Sequence, residues 1–102
     1  MEIALKFMGP NVTETMHRIN ENGNVVGTII VNVEGFPETT TLDSLTAATY
    51  STHMRNLSHH ASNALKEIDI LDELLVLRLV SKKTEAVVAP DKEFHLIVVM
   101  RK

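Results

Sequence analysis

Among the five histidines of this chain, His53, His59 and His60 lie close enough together to raise the question of a metal site. The spacing argues against one. On a helix, His53 and His60 would stand two turns apart, about 10 Å along the axis, whereas a helical zinc pair needs ligands three or four positions apart. Solvated or interface histidines are the expectation. The acidic run Glu67, Asp69, Asp72 and Glu73 lacks the glycine and the ordered oxygen ligands of a calcium loop, and reads as a solvated connection between a helix and a strand. Ser58 and His59 are sequence neighbours that would project about 100° apart on a helix, so they do not form a nucleophile and base. No nucleophile elbow surrounds any serine. Gly27 falls in a strand and Gly35 in a turn, and no glycine precedes a Lys-Ser or Lys-Thr pair at phosphate-loop spacing. The chain is expected to be a binding module rather than an enzyme, with no metal and no cofactor.

At 102 residues, 44% apolar and 23% charged, the composition is that of one ordinary folded domain. A core this small gains from a partner surface, which favours oligomerisation. The net charge of −3 supplies no basic field, and only Lys82-Lys83 resembles a basic cluster, so nucleic acid is not an expected partner. The absence of cysteine excludes disulfides and thiolate metal sites. Glu2 and Lys6 interrupt the apolar start, and no apolar run is long enough to span a bilayer, so a cytoplasmic protein without membrane insertion is expected. The triplets Asn11-Val12-Thr13 and Asn56-Leu57-Ser58 then read as helix residues rather than glycosylation acceptors.

The elements that must position these residues follow from periodicity. Residues 1–10 form an N-terminal tail with alternating Ile3, Leu5 and Phe7, and the domain is assigned to 11–102. Asn11 and Glu14 make a capping box for a helix over about 12–22, which Gly23 ends. The β-branched stretch 25–33 is apolar on both alternating faces and is predicted to be a strand covered on both sides. Glu34-Gly35 turns it into an edge strand over 38–42. Asp43 or Ser44 caps a long helix over 44–68, in which Ala47, Tyr50, Met54, Leu57, Ala61, Ala64 and Ile68 recur in steps of three and four. At least part of this seam is expected to pack on the chain's own sheet, and its narrowness leaves open a second helix beside it, with Ala61 and Ala64 small enough for either neighbour. A meander follows, with strands over 74–80, 85–89 and 94–100, turned at Ser81-Lys82-Lys83 and at Ala89-Pro90-Asp91-Lys92. The order α-β-β-α-β-β-β with short turns predicts an α+β fold, one antiparallel sheet with helices on both faces.

Several segments point to a family. Thr15-Met16-His17-Arg18-Ile19, Gly27-Thr28-Ile29-Ile30-Val31-Asn32 and Glu34-Gly35-Phe36-Pro37 are similar to the roadblock/LC7 light chains of dynein. So, more specifically, are Ser81-Lys82-Lys83, Val88-Ala89-Pro90-Asp91-Lys92-Glu93-Phe94 and Leu96-Ile97-Val98-Val99. The likeness runs in register over about 12–100. It implies a profilin-like or longin-like five-stranded antiparallel sheet with the C-terminal meander beside the N-terminal hairpin. It also implies a dimer, with itself or with another roadblock light chain, joined at the edge strand 74–80 with the long helices side by side. The interface residues it points to are Tyr50, Met54, Leu57 and Ala61 of the helix and Leu75, Leu77 and Leu79 of the strand. The partner implied is the dynein intermediate chain, held as helices in apolar grooves, within a cytoplasmic, cytoskeleton-associated or axonemal motor.

Ile70-Leu71-Asp72 stands where the family often has Pro-Gln-Asn, Val80 stands where common light chains carry arginine, and residues 1–10 have little counterpart. These departures suggest a divergent paralogue. The alternative within the same superfamily is a small-GTPase regulator or signalling scaffold.

Overall fold

The structure, a computed structural model, describes residues 24–101. Its elements run β1 (Val25–Asn32), β2 (Pro37–Thr40), α1 (Ser44–Ile68), β3 (Leu77–Val80), β4 (Thr84–Pro90) and β5 (Phe94–Arg101). The tail expected over 1–10 and the helix expected over 12–22 lie outside the described residues. The five strands form one antiparallel sheet in the order β2-β1-β5-β4-β3, which sets the meander beside the hairpin through the β1–β5 ladder.

Strict alternation sorts the sheet residues onto two faces. Ile29, Val31, Ala86, Val88, Ile97 and Val99 pack with Ala47 and Met54 of α1. On the reverse face Ile30, Ala89, Leu96 and Val98 form a second cluster, joined by Val25, Val76, Phe94 and Met100. The double burial of β1, β4 and β5 accounts for their near-continuous β-branched sequence. Helix α1 starts where the Asp43 carboxylate accepts from the Thr46 amide at 3.0 Å, and the same bonds hold the Asp43 pKa below its usual value. It ends at Ile68 because Asp69 turns extended, at φ −149°.

Two strands depart from expectation. The strand expected over 74–80 is paired only at Leu77–Val80. Leu77 sits opposite Val88, so continuing the ladder would bring Leu75 opposite Pro90, which has no amide hydrogen to give. The strand expected over 38–42 instead spans Pro37–Thr40. Threonine side chains take over its last rungs: the Thr40 hydroxyl donates to the Thr28 carbonyl at 2.9 Å and accepts from the Leu42 amide at 3.0 Å, and the Thr28 amide donates to Thr41 Oγ1 at 3.0 Å. This turns Leu42 inward over Gly27, where a Cβ would come within 2.5 Å of the Leu42 side chain.

Candidate functional site

Helix α1 presents two stripes rather than one seam. Ala47, Ser51, Met54 and Ser58, spaced four, three and four, are its buried residues. Three of them are small, which brings the helix axis close to the sheet, and the Ser51 hydroxyl is satisfied by the Ala47 carbonyl at 2.6 Å. A count of apolar residues alone misses Ser51 and Ser58. The signal available was the heptad spacing of small residues. Tyr50 and Leu57 instead turn toward the flank beside β3, Ala61 is half-buried, Ala64 is exposed, and Ile68 is 82% exposed.

On that flank Thr49, Tyr50, His53, Met54, Leu57 and Leu79 line a groove of about 170 Å³ between α1 and β3. Leu57 is 42% exposed and Leu79 48%, and side by side in one groove they make an exposed apolar patch rather than scattered leucines. Strand β3 is the last of the sheet, paired with β4 alone among the described residues. Of the seven interface residues expected, Tyr50, Met54, Leu57 and Leu79 therefore meet at one groove. Met54, 2% exposed, forms part of its floor and belongs to the chain's own core. Leu77 packs against that core as well, while Leu75 (54% exposed) and Ala61 stand apart from the lining.

The opposite flank of α1 is polar. Arg55, Asn56, Ser58, His59, Ser62, Pro90 and His95 line a crevice of about 340 Å³. Arg55 reaches the β1–β2 turn, where its Nη2 donates to the Val33 carbonyl at 3.0 Å. There the Asn32 side chain accepts from the Glu34 and Phe36 amides, both at 3.1 Å, and Gly35 adopts φ 95°. The left-handed φ demands glycine, and a Cβ there would meet Arg55 Nη1 at 2.8 Å and push the flexible guanidinium aside. Gly35→Ala is expected to destabilise the fold by about 1 to 2 kcal/mol, read as a lower urea midpoint with unchanged slope.

His95 is half-buried, and burial first, then the charge of Arg55, pushes its pKa down from 6.5 against a weaker upward pull from Asp91. In the window between 6.5 and the lowered value the unfolded chain binds more protons than the folded one, so stability declines as pH falls through it. The melting temperature should therefore drop between pH 7.5 and 5.5, and His95→Gln should shrink that drop.

Among the described residues no three histidine or carboxylate side chains converge as metal ligands, and no helix is long and apolar enough to cross a membrane. The His59 and His60 rings contact edge to face, with centroids 6.3 Å apart.

The fold has a solved counterpart. A crystal structure of a Roadblock/LC7 domain from Streptomyces avermitilis superposes with a TM-score of 0.77 at 12% identity, covering 84% of this chain and 74% of that one. At that identity the match speaks for the fold alone. The sequence itself matches the model of the Roadblock/LC7 domain family over residues 6–101. Nearly the whole chain is covered, and the chain belongs to the Roadblock/LC7 domain family.

Proposed function

We propose that this chain is a non-catalytic light-chain subunit of a dynein motor complex, acting as a dimer that holds dynein intermediate chains. The observation that carries the reading is the apolar groove of Tyr50, Met54, Leu57 and Leu79 running beside the edge strand β3. An edge strand offers unpaired amides and carbonyls to another chain. A twofold copy seated on this edge would pair β3 with β3, cover Leu57 and Leu79, and close the assembly at two. The residues that single out dynein within the family are the Ser81-Lys82-Lys83 and Ala89-Pro90-Asp91-Lys92 turns. The paired sheets then offer apolar grooves to amphipathic helices of two intermediate chains, from the segment before the propeller domain. Such a subunit works in the cytoplasm on the cytoskeleton or in an axoneme.

Two measurements test this. Sedimentation should give a dimer, formed with itself or with a sister light chain. Co-purification from cells should return intermediate chains. Recovery of small GTPases without intermediate chains would replace the motor reading with the regulatory one.

A further inference from the structure

We propose that the crevice between α1 and the β4–β5 hairpin, walled by Arg55, Asn56, Ser58, His59, Ser62 and His95, binds a phosphomonoester group. In a chain with 13 acidic residues against 10 basic, this lining contains no carboxylate. Its volume of about 340 Å³ is roughly that of ten waters, enough for a phosphate and the atoms that carry it.

The donors are already placed. One N–H of Arg55 is held on the Val33 carbonyl at 3.0 Å, and Gly35 leaves room for Nη1 against the turn, so the guanidinium is fixed at low entropic expense. Two imidazoles, two hydroxyls and an amide face the same space. That set exceeds what the two oxygens of a carboxylate use and suits the three terminal oxygens of a phosphomonoester. Ser58, 1% exposed, belongs to the buried stripe of α1 and forms the back of the crevice, so Arg55, Asn56, His59, Ser62 and His95 are the more accessible donors.

The charged groups that act on His95 come from two elements, Arg55 from α1 and Asp91 from the β4–β5 turn, and His59 of α1 lines the same crevice. Arg55 and a protonated His95 repel, and a dianion between them removes that repulsion. Phosphate binding should then raise the His95 pKa and take up a proton. Affinity for the dianion should strengthen as pH falls, until protonation of the phosphate itself, with a second pKa of about 6 in a phosphomonoester, removes the dianion.

The test is a titration of the intact protein with inorganic phosphate, followed by imidazole resonances at several pH values. Saturable shifts of His95, with its pKa rising on saturation, are expected. Arg55→Gln should weaken binding by about tenfold or more. Ser62→Asp, which places a carboxylate in the crevice without removing the Arg55 anchor, should abolish binding in a protein that melts normally. Serine in place of phosphate should produce no shift. Tighter binding of blocked phosphoserine than of inorganic phosphate would identify a partner's modified side chain as the source, and equal binding a free phosphate ester. Linear, unsaturated shifts, an unmoved His95 pKa, or parental affinity in Ser62→Asp would overturn the site.

Discussion

Leu57→Asp is expected to give a folded monomer from a dimeric parent. Leu57 is 42% exposed, lines the groove beside β3, and is absent from the cluster that joins α1 to the sheet. In the free chain an aspartate there remains hydrated. In the dimer it would be stripped of water with no lysine or arginine to pair with, because the groove offers only Thr49, Tyr50, His53, Met54 and Leu79 around it. A hot-spot loss of about 2 to 4 kcal/mol raises the dissociation constant roughly thirty to a thousandfold. Sedimentation over a concentration series should show the shift while the far-UV spectrum stays that of the parent. Leu79→Asp should behave alike, since Leu79 is 48% exposed on the same groove. Leu77→Asp is a poorer probe: Leu77 packs on the core, and its replacement would confuse dissociation with unfolding. A parent that sediments as a monomer at every concentration, or a Leu57→Asp protein that stays dimeric, would remove the proposed interface.

The sequence carried the fold through local chemistry. The start of helix α1 was legible because a capping residue precedes it, whereas its end was open by several residues because no proline stop follows, and Asp69 turning extended is what places it at Ile68. Strands β1, β4 and β5 were legible because burial on both faces demands β-branched and small apolar residues. What failed to show depends on partners distant in sequence. The true start of β3 is set by the position of Pro90 across the ladder, which no property of residues 74–76 reveals. The division of the α1 seam was hidden because Ser51 and Ser58 are polar by type but small enough to lie under the helix. The polar crevice was invisible for a further reason. Arg55 and His95 are brought together only by the register that puts His95 opposite Val31 and Pro90, and no motif spacing encodes that register.

Met54→Ala should act on the fold where Leu57→Asp acts on association, although both residues belong to one periodic seam. Met54 is 2% exposed and packs in the cluster of Ile29, Val31, Val88, Ile97 and Val99. Its neighbours on the buried stripe, Ala47, Ser51 and Ser58, are too short to fill the space its removal leaves. The loss of transfer energy then adds to that of the cavity, for a total of about 2 to 5 kcal/mol. For a domain of this size the melting temperature should fall by about 10 to 30 °C. Both proteins must be compared at one concentration, because a dimer's melting point moves with mass action. Met54→Leu nearly conserves volume and should cost less than about 1.5 kcal/mol. Below its lowered melting point, Met54→Ala should still dimerise within a few-fold of the parent, because Leu57 and Leu79 remain in place on the walls of the groove. A stability within 1 kcal/mol of the parent would instead mean that α1 settles onto the sheet without a methionine-sized contact. Unimpaired folding with lost dimerisation would move Met54 from the core to the interface.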